Sequence, residues 1–171
     1  MPSTYMDHDT LKAQFASAYD QYADELYRYC LFKVSDSERA QDLVQDVFTR
    51  YWQTLRKGDA ISHDRALLFT IARNRITDWY RKKKESSLDV LQEAGIEFAG
   101  LLGEDVERSA AYGEALRAIA QLDDASREAV LLRYTEGWTP AEIAELNGES
   151  ANAVSVRLNR AIKKLQDRLH I

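Results

Sequence analysis

Residues 139–169 restrict the fold of this chain more than any other stretch. Thr139-Pro140-Ala141-Glu142 places an N-capping hydroxyl, a proline at the first helical position and a glutamate at the third. The hydroxyl accepts an otherwise orphaned backbone N–H, proline has no N–H to orphan, and glutamate reaches back to the cap. Asn147-Gly148 supplies the left-handed turn that ends a short helix, and Ser150 caps a longer one through about Leu169. Ile143, Ala144 and Leu146 face inward on the first helix, and Val154, Leu158, Ala161, Ile162 and Leu165 on the second. Ala144 is small enough for the two to pack closely. A short helix, a tight glycine-containing turn and a second helix rich in Arg and Lys make a helix-turn-helix.

The rest of the chain repeats the spacing of three and four residues. Over 10–33 the apolar positions are Leu11, Phe15, Ala18, Tyr19, Tyr22, Leu26, Tyr29 and Phe32. Ser35 with Glu38 predicts a capping box at the start of a second helix. That helix buries Ala40, Leu43, Val44, Val47, Phe48, Tyr51, Trp52 and Leu55 and stops at Gly58. After a loop to Ser62, a third helix over about 63–83 carries Leu68, Ile71, Ala72, Ile76 and Trp79 inward. Further helices are expected at about 109–121 and 125–135, with Leu116, Ile119, Leu122, Val130 and Leu131 inside. No strand-like alternation interrupts the first half, which reads as a three-helix bundle. The expected fold is all-α: two small helical domains, 10–84 and 109–171, joined by an acidic linker over 85–108.

Charge divides along the same boundaries. The 171 residues sum to a net charge of −5, which by itself argues against a polyanionic partner. Yet residues 63–84 carry +5 and 150–171 carry +4, against −3 over 1–62, −8 over 85–128 and −3 over 129–149. Local field decides whether nucleic acid can dock. Residues 85–107 hold seven carboxylates, no Lys or Arg, and three of the seven glycines. Leu88, Leu91, Ile96, Phe98, Leu101 and Leu102 are scattered through them, and the composition is that of a linker.

Several classes are excluded. One cysteine, Cys30, leaves no intramolecular disulfide and no cysteine zinc cage. No run approaches the ~20 apolar residues of a membrane span, and residues 1–10 lack a secretory signal. A cytoplasmic protein is expected, without membrane insertion. Neither a phosphate-binding glycine loop nor His-Glu-x-x-His occurs, and His8, His63 and His170 have no partner at helical ligand spacing. No catalytic residues, metal site or cofactor are expected.

Three polar faces remain, each with a bland alternative. On the last helix Asn152, Ser155, Asn159, Arg160, Lys163 and Lys164 lie opposite Val154 and Leu158. They suit base-edge readout near the helix start and phosphate contacts beyond, or a solvated face complementing the helix dipole. On the third helix Arg73, Asn74, Thr77, Asp78 and Arg81 share a face, followed by Lys82, Lys83 and Lys84, with Phe69, Trp79 and Tyr80 between. That pattern suits opened DNA, or a solvated face with Trp79 in the core. On the second helix the stripe Asp42, Gln45, Asp46, Thr49 and Gln53 reads as solvated. A helix-turn-helix regulator acting as a dimer on duplex operators leaves the 63–84 face unexplained, and a protein-only adaptor leaves both basic faces so.

The segments ERAQDLVQDVFTRYW (38–52), LLFTIARNRITDWYRKKK (67–84) and REAVLLRYTEGWTPAEIAELNGESANAVSVRLNRAIKKLQDRL (127–169) together resemble bacterial extracytoplasmic-function (ECF) sigma factors. The resemblance implies a sigma-2 and a sigma-4 domain that direct RNA polymerase core to promoters. Asp42, Gln45, Asp46 and Phe48 match the segment that docks on the β′ clamp helices, with the β flap as a further polymerase contact. Asn74 would hold a flipped base of the minus-ten element beside the 58–65 loop, within a set comprising Arg73, Asn74, Asp78 and Arg81 through Lys84. Asn152, Ser155, Val156, Asn159 and Arg160 match minus-35 reading positions, with Lys163 and Lys164 on phosphates and Arg133 on the backbone. The linker would follow the RNA channel of the polymerase, and an anti-sigma factor partner is implied. Leu67 stands where the family frequently has Trp, Asp123 where it often has Pro, Ala153 for Thr and Ser155 for a basic residue. With two residues beyond Leu169, no C-terminal accessory domain is expected.

Overall fold

The computed structural model describes residues 7–86 and 110–171. Among these residues every regular element is an α-helix. Helices α1 (His8–Val34), α2 (Ser37–Lys57) and α3 (Asp64–Ser86) form one compact unit; α4 (Ala110–Ala120), α5 (Asp124–Tyr134), α6 (Pro140–Asn147) and α7 (Ala151–Leu169) form another. The first two residues of the expected linker, 85 and 86, continue α3; the remainder lies outside the described residues.

In the first unit the three helices pack on one another around Leu26, Val47, Leu68, Phe69 and Ala72. An aromatic seam joins α1 to α2: Phe15, Tyr19, Phe48 and Tyr51 have ring centroids 4.8–6.4 Å apart. Such pairs add about 0.5–1.5 kcal/mol each beyond their buried area. Polar ties fix the start of α3. The Asp64 carboxylate accepts from Tyr51 Oη (2.9 Å, α2) and Gln14 Nε2 (3.2 Å, α1). Burial, followed by that hydrogen bond to Asp64, raises the Tyr51 pKa, so the phenol keeps its proton. At the next residue, Arg65 Nη2 and Nε donate to Glu25 Oε1 at 2.6 and 2.9 Å. Near the other end of α3, Tyr80 Oη donates to the Lys33 carbonyl.

Three local expectations are corrected. Ser35 does not cap α2 with Glu38; it ends α1 at φ 54°, and its N–H donates to the Leu31 carbonyl at 2.8 Å. Only Asp36 is left in the extended conformation that an N-cap needs, and its carboxylate accepts the Arg39 N–H at 3.0 Å. Phe69, set among the charges by its sequence position, is fully buried with its ring 5.1 Å from that of Tyr29. Trp79, expected in the core, is half-buried at its edge, with the Lys83 ammonium 4.7 Å from the ring centroid.

In the second unit α7 is the central element, packed against α4, α5 and α6. Val154, Leu158, Ala161 and Leu165 form its buried stripe, as the spacing requires. All three predicted punctuation marks are present: the reciprocal Thr139–Glu142 box (2.8 and 3.2 Å), Gly148 at φ 67°, and Ser150 Oγ accepting the Ala153 N–H at 3.1 Å. On α5 Leu132 is buried and Leu131 only partly so, a one-residue phase error that rotates the face by roughly 100°. Asp123 is an N-cap, accepting the Ser126 N–H at 2.9 Å; that bond holds its carboxyl below the usual range. Trp138, not singled out in the sequence, is buried in the connection between α5 and α6, and its backbone N–H donates to the Leu132 carbonyl at 2.9 Å.

Two predictions follow from these features. A Cβ at Gly148 would meet no atom within 4 Å, so Gly148→Ala should cost only the positive-φ penalty, about 1 kcal/mol, read as a lowered denaturation midpoint. Burial pushes the Cys30 thiol up to about 12, so native protein should resist iodoacetamide at pH 8.5 and react once unfolded. Because the folded pKa is the higher one, this neutral thiol favours the fold fully below its ordinary value near 9, and the advantage is lost between there and pH 12.

Candidate nucleic-acid interfaces

Helix α7 presents a continuous polar face. Asn152, Asn159, Arg160, Lys163 and Lys164 are exposed, Ser155 is half-buried, and Val156 is 38% exposed. Asn152, Ser155 and Val156 thus sit on the first two turns, Asn159 and Arg160 on the third, and the lysines a turn further along. The helix-turn-helix angle is held by a contact the sequence reading missed. Glu149, in the turn, accepts from Arg157 Nη1 and Nη2 at 2.5 and 2.7 Å, and its Oε1 also accepts from Asn147 Nδ2 at 3.1 Å. The Glu149 hydrogen bond raises the Arg157 pKa, and the bidentate fork holds the guanidinium in one orientation. The Glu149–Arg157 spacing of eight residues crosses a turn, so neither helical nor strand periodicity flags it. Arg133, on α5, is exposed and donates Nη1 to the Trp138 carbonyl at 3.3 Å, which fixes its stem beside the α5–α6 loop.

Helix α3 divides its charged residues between two faces. Asn74, Thr77, Arg81 and Lys84 are exposed with Arg73 half-buried on one side; Thr77 Oγ1 donates to the Arg73 carbonyl at 2.9 Å. Asp78 marks the boundary: it pairs with Arg81 and, at 3.5 Å, with Arg75. Lys82 and Lys83 lie beyond it, toward α2, and line a cleft with Arg39, Leu43, Arg75, Asp78 and Trp79. The structure therefore does not gather Arg73, Asn74, Asp78, Arg81, Lys82, Lys83 and Lys84 on one surface. A run of four consecutive cations in a helix must wrap around it, at roughly 100° per residue. At the C-terminal end of α2, Gly58 (φ 77°) turns the chain into the exposed 58–60 loop that leads to α3.

On α2, Asp42 and Gln45 are exposed and available to a partner. Asp46 is half-buried and accepts from Arg75 Nε at 2.5 Å and Arg50 Nε at 3.3 Å, so it braces α2 against α3. Phe48, placed inside by the helical spacing and in the docking segment by the resemblance, lies on the core side and not on the exposed stripe. It is only 3% exposed, within the aromatic seam, because its position on the helix falls with Val44, Val47 and Tyr51 on the core side. Among the described residues no group of His, Cys, Asp or Glu is arranged to hold a metal, and no helix is long and apolar enough to cross a membrane.

The two units match two family models, Sigma-70 region 2 over residues 18–86 and Sigma-70 region 4 over residues 112–165. The chain is 32% identical over 158 residues to the ECF RNA polymerase sigma factor SigL of Mycobacterium tuberculosis, covering 90% of this chain and 88% of that protein. To the ECF RNA polymerase sigma factor SigX of Bacillus subtilis it is 25% identical over 167 residues, covering 94% and 86%. Among solved structures, CnrH in complex with the cytosolic domain of CnrY matches with a TM-score of 0.66 and 26% identity, covering 93% of this chain and 89% of that one. The fold is also that of RpoE from Bartonella quintana, solved with the anti-sigma factor NepR, at a TM-score of 0.68 and 24% identity over 92% and 98%. The two helical units, the capped helix-turn-helix and these relatives together show that the chain belongs to the ECF RNA polymerase sigma factors of the sigma-70 family.

Proposed function

We propose that this sigma factor binds RNA polymerase core through α2, engages the minus-ten element through α3, and reads the minus-35 element with α7. The observation that carries the reading is the outer face of α7. Asn152, Val156, Asn159 and Arg160 are exposed on a helix whose opposite face is buried and whose turn is clamped by Glu149 and Arg157. Asn and Arg offer bidentate hydrogen bonds to purine edges, and Val156 offers an apolar contact to a thymine methyl. Lys163 and Lys164 neutralise phosphates and set register.

On α3, Asn74 meets an unstacked base while Arg73, Arg81 and Lys84 follow the strand. Unstacking costs a few kcal/mol, so capture of the base favours the open promoter and selects for sequence. Asp42 and Gln45, with the rim of Asp46, contact the β′ clamp helices; Phe48 supports that helix from within. The helix-turn-helix unit completes the polymerase contact at the β flap. Arg133 steadies the DNA backbone ahead of the motif. The factor itself performs no covalent chemistry, and an anti-sigma factor controls its access to polymerase, in line with the complexes formed by CnrH and RpoE.

Transcription from a promoter library with purified core polymerase tests the scheme. Asn74→Ala should reduce open-complex formation while sparing minus-35 dependence, and Arg160→Ala should do the reverse by about 1–3 kcal/mol at one base pair. Operator binding by a dimer without polymerase, and no core-dependent transcripts, would overturn the proposal. Lys163→Ala and Lys164→Ala should each reduce the slope of log affinity against log salt by about 0.9 and leave base preference unchanged, measured on a minus-35 duplex with holoenzyme.

A further inference from the structure

The cleft between α2 and α3 is separate from the stripe assigned to DNA. It has a volume of about 520 Å³, within the ~300–1,000 Å³ of ordinary ligand sites. Its apolar floor is Leu43 and the half-buried indole of Trp79. Arg39, Arg75, Lys82 and Lys83 line it against one carboxylate, Asp78, with Asp46 beside it on Arg75. The Arg39 guanidinium and the Lys83 ammonium both stand over the Trp79 ring, at 5.9 and 4.7 Å from its centroid. The mean direction of Arg75, Asp78, Trp79, Lys82 and Lys83 lies roughly 150° around α3 from that of Arg73, Asn74, Thr77 and Arg81. One DNA strand following the Asn74 stripe cannot also occupy this cleft.

The geometry points to a docking site for an acidic amphipathic segment of a partner protein, one that seats a large apolar side chain on Leu43 and Trp79 and sets carboxylates against Arg39 and Lys83. Charge complementarity selects the acid, and the apolar floor selects protein over nucleic acid, since a phosphodiester backbone brings nothing apolar to cover it. Cations already stand over the indole, which favours carboxylates joining them over a base stacking on the ring. The inference rests on the reading that the Asn74 stripe is the face α3 turns to DNA.

A labelled peptide of about 16 residues, with Glu on one helical face and Leu on the other, probes the site on the full chain by fluorescence anisotropy. Arg39 occupies the third position of α2, where the helix dipole favours an acid, so Arg39→Glu keeps the fold. That variant should weaken the peptide about tenfold or more, and Arg39→Lys should restore most of it. The peptide with Lys in place of Glu should not bind, and a minus-ten non-template oligonucleotide should not displace the acidic one. Equal binding by wild type and Arg39→Glu, binding of the Lys peptide, no binding of the Glu peptide, or competitive displacement by the oligonucleotide would each overturn the inference. Asn74→Ala, which should lose open-complex formation, should bind the peptide as wild type does, so failure of the docking site is distinguishable from failure of the promoter reading.

Discussion

Both units depend on how one long helix divides its circumference between a core and a partner. Helix α7 does so in two parts, a buried stripe of Val154, Leu158, Ala161 and Leu165 and a polar face opposite. Burying such side chains contributes about 1.5–3 kcal/mol each, which makes the rotation of the helix a consequence of hydrophobicity. The exposed polar residues are aimed by the buried residues opposite them. The Glu149–Arg157 fork then restrains the remaining freedom, the angle between turn and helix.

Helix α3 carries a heavier load, with three faces on 23 residues. Its core face holds Leu68, Phe69, Ala72 and Ile76; a second holds Arg73, Asn74 and Arg81; the third looks across a cleft to α2. Asp78 and Asp46 set the borders by pairing with Arg81, Arg75 and Arg50. Residues that read in sequence as one basic cluster therefore serve different surfaces. The Asp46–Arg75 pair also joins the α2 stripe to α3, so the two helices are mechanically tied.

The overall acidity follows from this division. Basic side chains are concentrated on two helices, at +5 and +4, while the remaining chain is acidic enough to bring the total to −5. A partner as charged as DNA responds to the local surface within a Debye length of about 8–10 Å, not to the sum. The expected solvated stripe on α2 likewise acquires a use only through the family resemblance, because an interface for a charged partner and a hydrated surface have the same composition.

By itself the sequence determined the helices, their punctuation and the buried stripe of α7. Those features depend on local chemistry: Thr139 and Ser150 cap through N–H groups three residues away, Gly148 accepts a positive φ, and spacing assigns the apolar face. Asn152, Asn159 and Arg160 were legible as surface residues for the same reason. What the tertiary structure decided depends on neighbours distant in the chain or on competition between adjacent caps. Ser35 lost its capping role to Asp36 because α1 ends there in a left-handed turn. Phe69 went to the core, and Trp79 to a cleft edge, because packing partners on other helices chose among the faces that periodicity allowed. The Glu149–Arg157 and Asp46–Arg75 pairs belong to this second group too: an ion pair across a turn or between helices has no sequence period, and only the folded backbone brings its charges together.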